Sequence, residues 1–308
     1  MQRPESKKKR TFIRSQLLLV WLFEYIHIKM NKQSRSAIIV SATSDIGTAL
    51  CYRWQAKGWN IYGTYRSKSK ALEKLRNLNL KFVHCDLSKT KSIQNACSKL
   101  RILCPKWDVL VMCPGTQEPV GAFAECNFDK WQESIKVNFT GQMHIIHELL
   151  PARNVNSRLG PCVLFFAGGG TNNAPVNYSA YTVSKIALIK MCELLDAEIP
   201  DVRFVIIGPG WVKTKIHETT LKAGLRAGAS YQRTIDKLAG NECTPMGQVL
   251  DCCDWIVDSP RPVVGGRNFS VAFDMWGRED LKKKLLKETN MYKLRRYGND
   301  WLVRDKNC

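Results

Sequence analysis

The stretch AIIVSATSDIGTALCYRWQAKG, residues 37–58, decides the fold. Its first six residues are mostly β-branched or small, and they predict a strand over 37–42. The residues that follow carry apolar side chains at helical spacing and predict a helix over 45–58 that closes on Gly58. A strand joined to a helix by a short turn of small residues is the repeating unit of α/β proteins.

The same unit recurs along the chain from Ser36 onward. Further strands are predicted at 60–66, 81–86, 108–113, 161–168, 203–210 and 266–273. Further helices are predicted at 69–78, 89–103, 128–149 (ending at Pro151) and 178–198. Because the strands are almost continuously apolar, both faces of the sheet must be covered. The pattern therefore predicts an α/β fold, with a doubly wound parallel sheet in a single domain.

The ends of the chain differ in composition from this middle part. The protein has 308 residues, of which 44% are hydrophobic and 24% charged, as is usual for a globular protein. We predict a basic and apolar extension over residues 1–35, the α/β domain over 36–275, and a basic tail over 276–308. KKKR at 7–10 precedes an apolar run that is interrupted by Glu24 and is shorter than the ~20 residues of a membrane span. We expect an appendage, such as an upstream mis-called start would add, with a weak peripheral membrane contact as the alternative.

The net charge of +20 raises the question of a nucleic-acid partner. Residues 1–29 carry seven Lys or Arg and two Glu, and residues 278–308 carry ten basic and five acidic residues, so half of the excess lies at the ends. No zinc-finger, RNA-binding or basic-zipper pattern accompanies the charge. We expect no nucleic-acid partner, because a small anionic ligand fits the charge equally well.

The twelve cysteines are scattered and form no CxxC pair. This spacing predicts neither a zinc site nor a disulfide framework, and it favours a reducing compartment, the cytoplasm. We therefore expect no metal in the functional site.

The first strand-to-helix turn, VSATSDIG at 40–47, has the position of a phosphate-binding turn. A helix N-terminus at the carboxyl edge of a parallel sheet attracts phosphate through its free N–H groups and its dipole. Of the three glycines usual in such turns only Gly47 is present, and Ser41 and Asp45 stand at the other two positions. Asp45 is expected to cap the helix. A capped helix start without a ligand is the alternative. The candidate phosphate-binding residues are Ser41, Ser44, Ile46 and Gly47.

The end of the second strand indicates which dinucleotide would bind. An acidic residue about 20 positions after the turn would bind the ribose 2′-hydroxyl of NAD, whereas an arginine accommodates the 2′-phosphate of NADP. The residue nineteen positions after Gly47 is Arg66. A guanidinium binds phosphate with two hydrogen bonds, so NADP(H) is favoured over NAD(H). Asp86, which closes the third strand, could accept a hydrogen bond from the adenine amine.

Taken together, these motifs resemble the short-chain dehydrogenase/reductase family over residues 36–273. The turn at 40–47 looks like the family's cofactor turn, and CDL at 85–87 looks like its adenine-contacting step. MCPG at 112–115 is similar to the family's Asn-Asn-Ala-Gly, with only the glycine kept. Matches to the family also lie in IKVNFTG, YTVSK and GPGWVKT. The cofactor-binding residues that the resemblance implies, in a Rossmann fold, are Ser41, Ser44, Ile46, Gly47, Arg66, Asp86, Leu87, Gly115, Tyr181, Lys185, Pro209, Gly210 and Thr214.

Tyr181 and Lys185 are four residues apart, so their side chains share one face of a helix. A nearby ammonium favours the phenolate, and we expect Lys185 to lower the pKa of Tyr181. The resemblance implies that Tyr181 exchanges a proton with the substrate oxygen and that Lys185 binds the nicotinamide ribose. It also implies that Asn138 holds a water that relays protons to Lys185.

One expected residue is missing. The family has a serine 12–14 positions before the tyrosine, and these positions hold Ala167, Gly168 and Gly169, none with a hydroxyl. The N–H groups of residues 168–170 could form an anion-binding nest instead, or Thr171 or Asn172 could supply the hydrogen bond.

Three functions fit these residues. The first is an NADP(H)-dependent oxidoreductase that interconverts a carbonyl and an alcohol on a small polar or sugar-derived substrate. The others are a catalytically impaired nucleotide-binding protein, acting as a sensor or partner, and a sugar-nucleotide epimerase or dehydratase. The glycine-rich stretch and the C-terminal segment also resemble a bacterial subgroup of the family often found with surface-polysaccharide genes. The resemblance further implies a homo-oligomer that pairs helices 128–149 and 178–198.

Overall fold

The computed structural model describes residues 34–78 and 80–297. Contacts divide the chain into two units, residues 1–35 and 36–308. Within the described residues of the second unit, seven parallel strands form one sheet in the order β3-β2-β1-β4-β5-β6-β7. The strands are β1 (Ser36–Val40), β2 (Asn60–Tyr65), β3 (Lys81–His84), β4 (Val109–Met112), β5 (Cys162–Phe166), β6 (Arg203–Gly208) and β7 (Asn268–Ser270).

Helices connect and cover these strands. In the described part of the chain they are α1 (Asp45–Ala56), α2 (Lys70–Arg76), α3 (Thr90–Leu103), α4 (Phe128–Ile135), α5 (Gly141–Leu149), α6 (Ser179–Glu198), α7 (His217–Ala223), α8 (Ala229–Ala239), α9 (Met246–Val257), α10 (Arg261–Val264) and α11 (Glu279–Lys287). Short 3-10 turns lie at Phe123–Glu125, Leu150–Ala152 and Gly224–Ala227. None of the helices described is long and apolar enough to cross a membrane.

The core has two halves, one on each face of the sheet. Ala37 and Ile39 of β1 pack into one apolar cluster, and Ile38 and Val40 pack into the other. Successive strand residues point to opposite faces, so a strand with both sets buried must be covered on both sides. The doubly wound parallel sheet that the sequence predicted is confirmed.

The strand order reverses at β1, which pairs with β2 on one side and β4 on the other. Chain connections leave the sheet in opposite directions at such a switch point and open a crevice at the carboxyl ends of the two strands. The turn after β1 and the loop after β4 are therefore placed to line a ligand cleft.

The long helix predicted over 128–149 is interrupted. It consists of α4 and α5 joined by a π-helical segment, Lys136–Thr140. Single π-turns of this kind occur frequently at functional sites. The prediction failed because apolar periodicity at this length does not distinguish a π turn from an α turn.

The last strand is shorter than the predicted 266–273. It ends at Ser270 because Asp274 turns the chain, accepting a hydrogen bond from the Ser270 N–H at 2.6 Å and donating its own N–H to the Ser270 carbonyl. The pattern made no prediction for residues 211–265, where the structure has α7 to α10.

Residues 276–297 do not extend as a separate tail. They include α11, whose Leu281 and Leu285 are buried in the core. Arg267 is also buried, and its guanidinium donates to the carbonyls of Leu285, Glu288 and Met291 at the end of this helix. Carbonyls at a helix C-terminus lack intrahelical partners and carry partial negative charge, so they stabilise a buried cation.

Candidate active site

The turn after β1 has the backbone of a glycine turn without the glycine. Ser41 has φ of 58°, in the left-handed region that favours glycine. Its N–H donates to Thr64 Oγ1 at 2.9 Å, and its carbonyl accepts from the Ser44 N–H at 3.0 Å. These hydrogen bonds hold the turn in a conformation that a serine would otherwise avoid.

The start of α1 corrects one prediction. Ser44, rather than Asp45, caps the helix, because Ser44 Oγ accepts a hydrogen bond from the Gly47 N–H at 3.1 Å. Asp45 turns away and accepts from the Lys215 N–H at 2.7 Å. At Gly47 only glycine fits, since an added Cβ would lie 2.7 Å from the Ser41 carbonyl oxygen. Ile46 packs against the apolar core beneath the turn.

Arg66 follows β2 directly and is exposed. Asp86 lies after the neighbouring strand β3, where its Oδ1 accepts from the N–H and the hydroxyl of Ser88 and its Oδ2 lies 3.6 Å from Lys89 Nζ. Burial opposes ionisation of Asp86, but these partners hold its pKa below the usual value. Leu87 is buried, and its carbonyl would lie 2.8 Å from a Cβ added at Gly141.

The side chain of Asn138 has a structural role in this arrangement. Its Oδ1 accepts from the Thr116 N–H at 2.8 Å, while Nδ2 donates to the Thr116 carbonyl and to Ser134 Oγ. Its backbone carbonyl accepts from Gln142 Nε2 at 2.8 Å. The expectation that Asn138 holds a relay water stays a prediction, because its backbone carbonyl oxygen accepts one hydrogen bond and has a second lone pair for a water. The π segment places Asn138 so that it fastens the loop after β4.

Tyr181 and Lys185 lie on the first two turns of α6, as predicted. Lys185 is 3% exposed, and its Nζ donates to the Phe166 carbonyl at 2.9 Å and to the Pro114 carbonyl at 3.4 Å. The same ammonium nitrogen lies 5.8 Å from the centre of the Tyr181 ring. The pair therefore lies between the ends of β4 and β5, beside the crevice.

Burial dominates the titration of both groups. It raises the pKa of Tyr181 to about 12. It lowers the pKa of Lys185 to about 8, although the Cys113 thiol opposes this shift. Desolvation of the phenol accounts for the upward shift of the Tyr181 pKa, and the expectation that the Lys185 ammonium lowers this pKa stays a prediction. At neutral pH the phenol is protonated and the ammonium is charged.

The glycines after β5 differ in the space around them. A Cβ added at Gly168 would lie 2.7 Å from Tyr181 Oη, and one added at Gly170 would lie 2.4 Å from Thr182 Cγ2. No atom lies within 4 Å of a Cβ added at Gly169. The side chains of Thr171 and Asn172 are exposed. The tyrosine ring thus occupies the space that a side chain at residue 168 would need.

The β6–α7 loop, residues 209–216, forms another wall of the cleft. Gly210 has φ of 75°, and a Cβ there would lie 2.4 Å from Thr244 Oγ1. A cavity of about 350 Å³ lies against this loop and the start of α1. Its lining includes Asp45, Lys213, Thr214, Lys215, His217 and Glu218.

Two aromatic rings stiffen the same loop. Trp211 and His217 stack with ring centres 4.0 Å apart, and His217 Nε2 lies 2.9 Å from the Val212 carbonyl oxygen. Burial lowers the pKa of His217, although this carbonyl partner opposes the shift. The imidazole therefore stays neutral at pH 7.

Several hydrogen-bonding groups near the site could not be predicted from any pattern in the sequence. Tyr178 Oη and Thr220 Oγ1 are 2.8 Å apart, and Thr220 Oγ1 donates to Gln117 Oε1 at 3.0 Å. This buried chain connects the start of α6, α7 and the loop after β4. Gln142 Oε1 is buried without a hydrogen-bond partner. Thr220 and Gln117 are 103 residues apart in the chain, so spacing in the sequence could not reveal their hydrogen bond.

No group of side chains suited to a metal ion is found among residues 34–78 and 80–297.

The chain belongs to the short-chain dehydrogenase family, whose model matches residues 35–223. A short-chain dehydrogenase of Aspergillus terreus, pgmD, is 26% identical over 286 residues, covering 84% of this chain and 86% of that protein. The 3-oxoacyl-[acyl-carrier-protein] reductase FabG of Escherichia coli is 23% identical over 217 residues, covering 68% and 86%. A solved actinorhodin polyketide ketoreductase with NADPH superposes with a TM-score of 0.68 at 20% identity, covering 77% of this chain and 95% of that one.

The family and fold imply an oxidoreductase that binds a nicotinamide cofactor. The residues of the crevice fit such a group. Ser41 has the glycine-type backbone of a phosphate turn, Gly47 lets the turn pack closely against the start of α1, and Arg66 is exposed at the end of β2. The resemblance to the bacterial polysaccharide subgroup stays a prediction.

Proposed function

We propose that this protein is an NADP(H)-dependent oxidoreductase that interconverts a carbonyl and an alcohol on a small polar or sugar-derived substrate. The observation that carries the proposal is the pair on α6: a phenol at the edge of the crevice with a buried ammonium behind it. Their protonation states at neutral pH suit delivery of a proton to a carbonyl oxygen.

In this proposal the dinucleotide lies across the crevice at the switch point between β1 and β4. The turn at 41–47 and the N-terminus of α1 would hold its phosphates. Arg66, Asp86 and Leu87 would surround the adenosine half. Gly115 and the β6–α7 loop residues Pro209, Gly210 and Thr214 would line the nicotinamide half. The bound nicotinamide supplies or accepts the hydride.

Tyr181 acts as the acid for reduction. Because burial holds its pKa near 12, the phenol keeps its proton at pH 7 until a substrate oxygen accepts it. Lys185 stabilises the phenolate that forms, because its ammonium nitrogen lies 5.8 Å from the centre of the Tyr181 ring. Two backbone carbonyls hold the ammonium in this position. The reverse step, in which Tyr181 takes a proton from an alcohol, needs a deprotonated phenol, so its rate should rise with pH. The arrangement therefore favours carbonyl reduction.

The substrate oxygen needs a second hydrogen bond in place of the family's serine. A Cβ added at Gly168 would lie 2.7 Å from Tyr181 Oη, so the proposed donors are the backbone N–H groups of residues 168–170. Backbone N–H groups serve this purpose in many oxyanion sites. Two of the similar proteins, FabG and the polyketide ketoreductase, are reductases of carbonyl compounds by name, which agrees with the same direction here.

Cofactor choice is tested with Arg66. Replacing Arg66 by Ala should weaken NADPH binding by about 10- to 100-fold, because hydrogen bonds to a charged group contribute roughly 1.5–3 kcal/mol. NADH binding should change little, since NADH has no 2′-phosphate. Fluorescence titration of both cofactors measures this, with Lys74→Ala on the exposed side of α2 as the control. Equal weakening of NADPH and NADH would contradict the role of Arg66.

Activity is tested by following NADPH oxidation with a panel of small ketones, aldehydes and keto-sugars. Turnover of any member supports the proposal. Tight NADPH binding with no turnover across the panel would instead support a catalytically impaired binding protein. A failure to bind either cofactor would refute both functions.

The homo-oligomer is a further proposal. Phe128 of α4 and Val183 of α6 are each 54% exposed, on the two helices expected to pair. Light scattering at working concentration tests it.

A further inference from the structure

The carboxylate of Asp45 joins two parts of the cleft that are 170 residues apart in the chain. Its Oδ2 accepts the Lys215 backbone N–H at 2.7 Å, and its Oδ1 lies 3.6 Å from Lys215 Nζ. Asp45 is the first residue of α1, and Lys215 belongs to the β6–α7 loop. The contact fastens this loop to the phosphate turn.

The next residue of the loop reaches the other end of the cleft. A Cβ added at Gly115 would lie 3.6 Å from Ile216 Cδ1 and 3.9 Å from Lys185 Nζ. Ile216 therefore packs beside the proton-transfer pair, while Lys215 is held at the phosphate turn. The stacked Trp211 and His217 rings hold the loop from within, and the hydrogen bond to Asp45 joins it to the phosphate turn.

A carboxylate at this position creates a charge problem for an anionic ligand. The helix dipole stabilises Asp45, but the same charge repels a phosphate that approaches the N-terminus of α1. The cavity beside it contains Lys213 and Lys215 as well as Asp45 and Glu218. Of the two lysines, Lys215 is the one paired with Asp45. The side chain of Lys215 is 66% exposed, so the ion pair by itself is screened, and the backbone hydrogen bond carries the geometry.

We propose that Asp45 is a positioning residue for the cofactor cleft, which ties the β6–α7 loop to the phosphate turn, and that Lys215 is the counter-charge that allows a phosphate to bind beside it. This inference rests on the proposed function, because the phosphate is taken to belong to the nicotinamide dinucleotide.

Limited trypsin digestion without cofactor tests the tie. Asp45→Ala should speed cleavage after Lys213 and Lys215 by about fivefold, since a charge-assisted hydrogen bond that restrains the loop is lost. Glu242→Gln is the matched control, because it breaks another lysine–carboxylate pair, Lys237–Glu242 at 2.7 Å, outside the cavity lining. Cleavage at an unchanged rate in Asp45→Ala would overturn the tie. Circular dichroism should show that both variants are folded.

NADPH titration of a double-mutant cycle tests the counter-charge. Lys215→Met should weaken binding by about fivefold when Asp45 is present, the size expected for a partly exposed charge pair. In the Asp45→Asn background the same change should weaken binding less than about twofold, since no carboxylate then needs neutralising. Lys237→Met is the matched control. Equal weakening in both backgrounds would overturn the counter-charge role.

The two measurements also separate this inference from the proposed function. If the unaltered protein binds neither NADPH nor NADH, the proposed function and the counter-charge role both fail. The digestion result would still decide whether Asp45 holds the loop.

Discussion

Two turns of the candidate site depart from the family pattern in opposite ways. The turn after β1 has lost glycines, with Ser41 and Asp45 in their places, yet Ser41 keeps the left-handed backbone at φ of 58°. The turn after β5 has gained glycines at the positions where a serine hydroxyl is expected. The first turn has kept its shape with different residues, whereas the second has lost a chemical group.

The difference follows from what each turn contributes. A phosphate turn works through backbone N–H groups and a dipole, so any residue held in the right conformation can serve. Hydrogen bonds to Thr64 and Ser44 hold Ser41 in that conformation. A missing serine hydroxyl, in contrast, can be replaced only by another donor that faces the substrate oxygen, such as a backbone N–H group. The turn after β5 is therefore where a loss of rate is expected.

The largest expected effect is at Tyr181. Changing Tyr181 to Phe should lower kcat by about 10²–10⁴-fold, the usual contribution of a positioned acid, with the NADPH dissociation constant unchanged within about twofold. Steady-state rates and cofactor titration measure both quantities. Tyr52→Phe on the outside of α1 is the control. An unchanged kcat would show that the turn after β5 does not belong to a working proton-transfer site.

Adding a hydroxyl to the turn after β5 should depend on the position. Gly168→Ser would force its Cβ to 2.7 Å from Tyr181 Oη, so it should lower stability by about 1–3 kcal/mol and reduce kcat. Gly169→Ser has open space and should fold normally, and its hydroxyl should raise kcat by up to about tenfold, because one donor can contribute 10²–10³ where it is optimally placed. Thermal unfolding and kcat measure this.

Gly169→Ala is the control, because it restricts the backbone as Gly169→Ser does but adds no hydroxyl. It should match the stability of Gly169→Ser without the gain in rate. If Gly168→Ser is the faster and more stable of the two serine variants, the Tyr181 ring does not lie against Gly168.

The rate should also fall with pH above the pKa of Lys185, about 8. Below this value the ammonium is charged and stabilises the phenolate; above it the charge is lost, so kcat/KM for reduction should fall by about tenfold per pH unit. Tyr181 stays protonated throughout this range, since its pKa is about 12. The pH–rate profile measures the effect. Rates must recover on return to pH 7, which excludes unfolding. A flat profile to pH 10 would contradict a buried lysine that titrates near 8.

The smallest effect is expected in the turn after β1. Ser41→Gly should raise stability by roughly 1 kcal/mol, because a left-handed conformation costs a non-glycine residue about 1–2 kcal/mol and glycine adopts it freely. NADPH affinity should stay within about twofold, since the backbone is unchanged. Ala42→Gly is the control and should lower stability instead, as Ala42 is fully buried. Thermal denaturation measures both.

Much of the fold followed from local patterns. The alternation of apolar runs with helical periodicity is enough to predict seven strands in a parallel sheet, because strands buried on both faces have few polar residues. The break at Lys136–Thr140 was missed, since an extra residue in one helical turn leaves the apolar pattern almost intact. The packing of α11 was also missed, because its many lysines mask the two leucines, Leu281 and Leu285, that are buried.

The sequence by itself determined the doubly wound fold, the pairing of Tyr181 with Lys185 on one helical face, and the absence of a serine at residues 167–169. All three depend on spacing within a single segment. Only the tertiary structure decided that Ser44 caps α1, that Asn138 bonds to Thr116 in the loop after β4, that burial raises the pKa of Tyr181, and that Asp45 holds Lys215. These depend on groups brought together from distant segments, and the direction of a side chain or the loss of water around it exists only once those segments pack.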